Sequence, residues 1–294
     1  MRRLTICLLF AVMALASPVA ATTVVVFIAN NGIVLSSDSK AVSQNMDFSA
    51  AGSKYHAKIV VLENRIAVAA IGVSDAGGPS PHYNFLAWMQ SLQQSLPADI
   101  SVADVTALIE KGSSEAFSSL GFSAALKDGR LSRKAPAEPC EVFSQFVIAG
   151  YQDGAPRVYK VQFDIDWNSQ TLLGPTRTLI YPDPSETWDY RVIRFGTQQA
   201  ITDLFNTKSY AYHEAMILCP KAMTDVVNRK YPTLDETVAL SRALVQTEEN
   251  TNPDDVGGEI RTVKIIPTGR AEEVATRVTP SKRTQQLERT RQTQ

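Results

Sequence analysis

Thr22 and Thr23 stand directly behind a segment with the make-up of a cleavable leader, and that position offers Thr22 a chemistry it would lack inside a chain. Residues 1–21 read MRRLTICLLFAVMALASPVAA. Arg2 and Arg3 form a basic start, residues 8–15 an apolar run short for a bilayer, and Val19 and Ala21 put small residues at the minus-three and minus-one positions of a cut before Thr22. Pro18 opposes continuation as a helix. A cut there leaves Thr22 with a free α-amine beside its own hydroxyl. Such an amine has a pKa of ~7.7–8.0, so much of it is neutral at working pH and can accept the hydroxyl proton. An internal threonine has only a non-basic amide nitrogen. A cut displaced by one residue would expose Ala21 or Thr23 instead.

Elements able to position such a group follow at once. Residues 22–29 (TTVVVFIA) are a β-rich apolar run, Asn30-Asn31-Gly32 is a turn signal, and Ile33-Val34-Leu35 begins the return. Ser36-Ser37-Asp38-Ser39-Lys40 then lies at the strand end, before a polar loop over 44–53. A second hairpin is predicted from 58–62 and 66–71 around Glu63-Asn64-Arg65, ending at Gly72. Helical spacing of apolar residues predicts helices over 83–96 and 101–120, with Ser101 as N-cap and Asp104 three residues on. Residues 124–140 read as a loop. Strands are expected at 143–150 and 157–165, a strand pair at 174–181 and 190–196, helices at 197–206, 209–228 and 234–248, and a last strand at 260–266. Strands in hairpins imply antiparallel sheets, and helices in sequential pairs imply cover for one face at a time. The fold class is α+β. Two stacked sheets with helices outside, a four-layer αββα sandwich, would bury every apolar face. Residues 1–21 are thus expected as leader, 22–269 as the domain and 270–294 as a disordered tail, too poor in apolar residues to offset its ordering entropy, with a basic docking tail as the alternative.

Composition narrows the function classes. The formal net charge is −1, from 29 Lys+Arg against 30 Asp+Glu. Loss of Arg2 and Arg3 makes it −3, which favours neither nucleic acid nor an anionic membrane as partner. Beyond the leader no segment has the ~18 apolar residues of a membrane span, so a periplasmic or secreted protein free of the membrane is expected. Cys140 and Cys219 would remain after processing, either as one disulfide or as two separate small apolar side chains. His56, His82 and His213 lack metal-ligand spacing, and no phosphate loop, dinucleotide fingerprint or serine elbow is present, so no cofactor or metal is called for.

TTVVVFIANNGIVLSSDSKAV resembles the mature start of proteasome β-type subunits and their bacterial relatives, with Thr22, Thr23, Gly32, Ile33, Val34, Asp38, Ser39, Lys40 and Ala41 in register. KIVVLENRIAVAAIG over 58–72, FVIAGYQDGAPRVYKV over 146–161, RFGTQQA over 194–200, LDETVALSRALV over 234–245 and DDVGGEIRTVKI over 254–265 resemble later segments of that family. It is the threonine-peptidase branch of the N-terminal-nucleophile hydrolases, whose fold is the αββα sandwich. The resemblance implies roles residue by residue. Thr22 is the nucleophile and, through its amine, the proton acceptor. Lys58 is the lysine beside it, Asp38 the carboxylate paired with that lysine, and Gly72 the glycine whose N–H faces the oxyanion. Gly196-Thr197-Gln198 stands where the family bears serines, so Thr197 would supply a hydroxyl. Near the end, direct register puts Pro253 at an acid position and Val256 at a serine position, with Asp254 one residue away. Asp75 would either border the cleft or serve as a loop acid, and His56 would either lie on the surface or line a pocket with Ala41, Val60 and Ala70. Taken singly, Asp38 is a turn residue, Lys58 a strand-edge charge, Gly72 a turn glycine and Thr22 a strand residue.

The expected function is therefore an exported hydrolase of peptide or other amide substrates, working through an ester on Thr22. The alternatives are a non-catalytic scaffold or peptide-binding protein on the same fold, and a small-molecule acylase. The resemblance also leaves open assembly into a homo-oligomeric ring. Edman degradation of the exported protein is expected to read TTVVV from its first cycle. A start upstream of Thr22 with no later trimming would rule this chemistry out.

Overall fold

The computed structural model describes residues 22–29, 31–40, 57–77, 82–129, 139–183, 191–196, 201–253 and 256–274. The expected leader, the expected loop over 44–53 and residues 275–294 of the expected tail lie outside them. Among the described residues the chain is α+β, with antiparallel sheets and six helices.

The first hairpin is β1 (Thr23–Ala29) and β2 (Gly32–Ser37), paired from Val24↔Ser37 to Ala29↔Gly32. The second is β3 (Ile59–Leu62) and β4 (Ile66–Gly72). A short pair, β5 (Asp75–Gly77) and β6 (His82–Asn84), leads into α1 (Phe85–Gln93), capped by Asn84. Then come α2 (Val102–Ser119), α3 (Phe122–Lys127), β7 (Cys140–Gln152), β8 (Ala155–Asp166), β9 (Thr171–Tyr181) and β10 (Arg191–Gly196). Helices α4 (Tyr210–Leu218), α5 (Pro220–Val227) and α6 (Leu234–Thr251) precede β11 (Arg261–Ile265) and β12 (Ala271–Val274). Ser101 caps α2 by accepting from Asp104 N, as its position predicts.

One sheet runs β10-β1-β2-β11-β12 and the other β3-β4-β7-β8-β9. The two-residue period of a strand explains the unbroken apolar runs of β1 and β4, because both of their faces are covered. Val24, Val26 and Ile28 of β1 share a buried cluster with Ala67, Ala69 and Ile71 of β4 and Val147 and Ala149 of β7. The alternate residues Val25, Phe27 and Ala29 pack with Leu240, Leu244 and Val245 of α6 and with Ala211 and Met223. On β4 the alternate residues Ile66, Val68 and Ala70 pack with Met89 of α1, Val105 and Ile109 of α2 and Phe122 of α3. Phe117 is ringed there by Tyr83, Phe122, Phe143 and Phe163.

Several expectations change. β9 and β10 do not pair with each other. β9 pairs with β8 and β10 with β1, in different sheets, because the open edge of the first hairpin takes β10. The loop expected over 124–140 begins inside α3, anchored by buried Phe122, Ala125 and Leu126. The helix expected over 209–228 is two helices broken at Cys219-Pro220, since Pro220 has no N–H to continue the first and suits the start of the second. Residues 201–205 form turns, and 197–200 lie outside the described residues. The expected tail yields β12, which follows a turn at Gly269 (φ 83°) and pairs with β11. Its charges stay at the edge, where Glu272 meets Lys264 at 3.5 Å and Glu273 meets Arg261 at 2.6 Å. Cys140 is exposed on β7 and Cys219 half-buried between α4 and α5; both are free thiols, and burial pushes the Cys219 thiol up to about 11.

Candidate active site

The hairpin register builds the site's first half. With Val24 opposite Ser37, the next residues outward are Thr23 and Asp38, and Thr23 N donates to Asp38 Oδ1 at 2.9 Å. Thr22 follows at the strand mouth and is buried. β10 flanks it from the other side, with Gly196 opposite Thr23. Gly196 has φ +74°, and a Cβ there would lie 1.9 Å from the Thr22 carbonyl oxygen and 3.2 Å from Ile71 Cγ2. Only glycine lets the backbone approach Thr22 so closely.

The second half comes from the other sheet. Lys58 immediately precedes β3, held by Ala70 N donating to its carbonyl at 2.9 Å. Its side chain reaches Thr22 Oγ1 at 2.6 Å and Asp38 Oδ1 and Oδ2 at 3.3 and 3.2 Å, and also donates to Lys40 O. Asp38 Oδ2 accepts further from Lys40 N at 3.2 Å and Gly257 N at 3.3 Å. Ser39 N and Lys40 N donate back to Gly257 O at 3.2 and 2.8 Å, and Lys40 Nζ donates to Pro253 O. The segment between α6 and β11 is thereby tied to the Asp38 turn.

Burial dominates the electrostatics. Loss of water pushes the Asp38 carboxyl above its ordinary range, against the pull of Lys58 and the N–H groups of Thr23 and Gly257. Loss of water likewise lowers Lys58, against the pull of Asp38. The acceptors around Nζ define its chemistry. Lys40 O and Asp38 claim two hydrogens, because both can only accept. The remaining tetrahedral position faces Thr22 Oγ1. There the ammonium donates a hydrogen, while the neutral amine would present its lone pair to the threonine hydroxyl. Either form aligns the Thr22 oxygen and favours its loss of a proton.

Gly72 ends β4 with φ +81°, where a Cβ would meet Phe143 O at 2.4 Å. Its neighbour Ile71 touches the Gly196 position beside Thr22. Thr22, Asp38 and Lys58 are thus brought together, with the end of β4 adjacent. Thr197 and Asp254 lie outside the described residues, as do His56 and Ala41. Val256 is fully buried among apolar side chains, and Pro253 contributes its carbonyl. Asp75 is engaged by Asn84 Nδ2 at 2.6 Å and has His82 Nε2 at 3.8 Å, so it braces the β5–β6 pair. Lys40 and Gly257 are parts of the site whose roles were not read from the sequence, although both stand in the motifs quoted from it. Among the described residues no group of His, Cys, Asp and Glu is arranged to hold a metal, and no helix is long and apolar enough to cross a membrane.

No family model matches the chain, and no curated protein matches it. Similar solved structures include Anbu (ancestral beta-subunit) from Yersinia bercovieri, at 11% identity and TM-score 0.48, covering 92% of this chain and 94% of that one. Another is an Anbu (Gly-1) mutant from Hyphomicrobium sp. strain MC1, at 15% identity and TM-score 0.46, covering 92% and 97%. These findings correct the family assignment drawn from the sequence. The matched structures are Anbu chains at 11% and 15% identity, a similarity of shape alone, and assignment to the threonine-peptidase branch of the N-terminal-nucleophile hydrolases is withdrawn.

Removing one partner of a buried ion pair strands the other charge, which typically costs about 3–5 kcal/mol. Asp38→Ala is therefore expected to lower unfolding free energy by about that amount in urea titration. A loss within the scatter of a surface substitution would show that the pair is not buried as described.

Proposed function

We propose that this chain is an exported hydrolase of amide bonds, peptide bonds above all, with Thr22 as nucleophile after removal of residues 1–21. The observation that carries the reading is Lys58 Nζ at 2.6 Å from Thr22 Oγ1 and 3.2 Å from Asp38 Oδ2, all three side chains being buried where the strand ends meet. In this reading the freed α-amine of Thr22 accepts the hydroxyl proton as Oγ1 attacks the substrate carbonyl carbon. The Lys58 charge disfavours a proton on that amine and so leaves more of it neutral, able to accept the hydroxyl proton, near pH 7. The tetrahedral oxyanion is met by the Gly72 N–H. Its collapse breaks the C–N bond, and the proton passes from the amine to the leaving nitrogen. The ester left on Thr22 is then cleaved by water, with the amine again as base. Thr197 and Asp254 are proposed as further polar support. Periplasmic or secreted location, the four-layer αββα sandwich and assembly into a homo-oligomeric ring belong to the same proposal. Support for assembly comes from the exposed apolar side chains Tyr210, Ile217 and Leu218 on α4.

The second reading is a non-catalytic scaffold. Pro253 and the buried Val256 favour it, because they put no carboxylate and no hydroxyl where the resemblance led one to expect them.

An epoxyketone probe separates the two, since it needs the hydroxyl and the free amine of one residue. The mature protein is expected to be labelled on Thr22, Thr22→Ala not at all, and Lys58→Ala ~100-fold more slowly or worse. Labelling should fall as pH drops through the titration of the amine. Undiminished labelling of Thr22→Ala, or none of the wild type, would contradict the hydrolase reading.

A further inference from the structure

Lys40 and Gly257 hold the Asp38–Lys58 pair, which leaves the question of what holds them. Glu249, near the C-terminal end of α6, lies directly over Gly257. A Cβ built on Gly257 would meet Glu249 Oε1 at 3.3 Å, Lys40 Cδ at 3.6 Å and Glu249 Cγ at 3.7 Å. Carboxylate and lysine stem therefore meet on one face of this glycine, whose N–H and C=O are both committed to the Asp38 turn. The Glu249 carboxylate also accepts from Gln246 Nε2 at 2.7 Å and from the Gly258 backbone N–H. Gly258 has φ 86°, so the carboxylate braces a left-handed turn next to the Asp38 contact. Its helix neighbour Glu248 faces elsewhere, accepting from Ile201 N at 3.2 Å.

We propose that Glu249 is a positioning residue for the Thr22 site: its charged carboxylate fixes the Gly257–Gly258 turn and Lys40, and through them the Asp38 carboxylate that holds Lys58. The inference rests on the hydrolase reading above and identifies a residue that neither the sequence motifs nor the first contacts of Thr22 include. Four charges are then organised in alternation from helix to nucleophile: Glu249, Lys40, Asp38 and Lys58. Partial burial raises the Glu249 carboxyl, opposed by the Gln246 hydrogen bond; the Asp38 charge raises it further, and Lys40 and the Gly258 N–H pull it down. It therefore takes up a proton at higher pH than an ordinary glutamate. As pH falls through that point the brace loses its charge, and the site loses order on the acid side of its range.

The test is the rate of epoxyketone labelling across pH for the mature wild type, Glu249→Gln and Glu249→Asp, with folding checked by circular dichroism and urea midpoint. Glu249→Gln keeps size and one acceptor oxygen but not charge. It is expected to label about tenfold more slowly or worse at its optimum, as small misplacements of reacting groups do. Its acid limb should be shallower by one proton than the wild type's. Glu249→Asp, which keeps the charge, should recover most of the rate. If the wild type labels on Thr22 and Glu249→Gln matches it in rate and pH profile, the positioning role is overturned while the hydrolase reading stands. If Glu249→Gln and Glu249→Asp lose rate equally with unchanged acid limbs, only packing is at stake and the proposal also fails. If the wild type, with Thr22 verified as its first residue, does not label, the hydrolase reading falls and this inference with it.

Discussion

Lys58 and Asp38 are taken out of water together, and their mutual dependence organises the centre of this molecule. Each ion left alone would cost several kcal/mol. Their attraction offsets that only because every remaining valence is met, by Thr23 N, Lys40 N and Gly257 N on the carboxylate and by Lys40 O and Thr22 Oγ1 on the ammonium. The pair, its partners and the backbone packed against Thr22 come from four separate parts of the chain. The β1–β2 hairpin supplies the carboxylate, the residue before β3 the cation, β10 the close backbone contact at Gly196, and the α6–β11 connection the Gly257 amide. The strand ends cannot drift apart without exposing an unpaired charge. The same pairing that closes the fold also delivers a cation to a threonine hydroxyl.

Much of this was legible in the sequence because burial leaves a strong pattern. β1 and β4 are covered on both faces, so they read as unbroken apolar runs between turn signals, and the structure places strands there. Ser101 announced its helix by residue type and spacing. Long-range pairing left no such trace. β9 and β10 look like a hairpin in sequence, yet β10 completes the other sheet beside β1, a choice set by which edge was open. The break at Pro220 was visible in the residue itself but lost inside a longer helical period. β12 was hidden because its glutamates pair across strands with Lys264 and Arg261 rather than marking a solvated tail.

The site divides the same way. Thr22 could be singled out by its own chemistry and its position behind a leader-like segment. That Asp38 and Lys58 would meet it came from resemblance, not spacing, since twenty residues separate them and only the stacking of two sheets joins them. The fold brings the three together while the family assignment that suggested them is not upheld. Glu249 left no local signal, because a glutamate on an amphipathic helix reads as a solvated one. Its role emerges only once Gly257 is seen to lie under it.

The claim beneath all of this is that the Lys58 charge acts on the amino group of a processed Thr22. A nitrogen-15 NMR titration of that amine in the mature protein reads it directly. The amine should titrate below the ~7.7–8.0 usual for a chain start and return toward that range in Lys58→Met. A wild-type amine that titrates within or above that range, unmoved by the substitution, would contradict it.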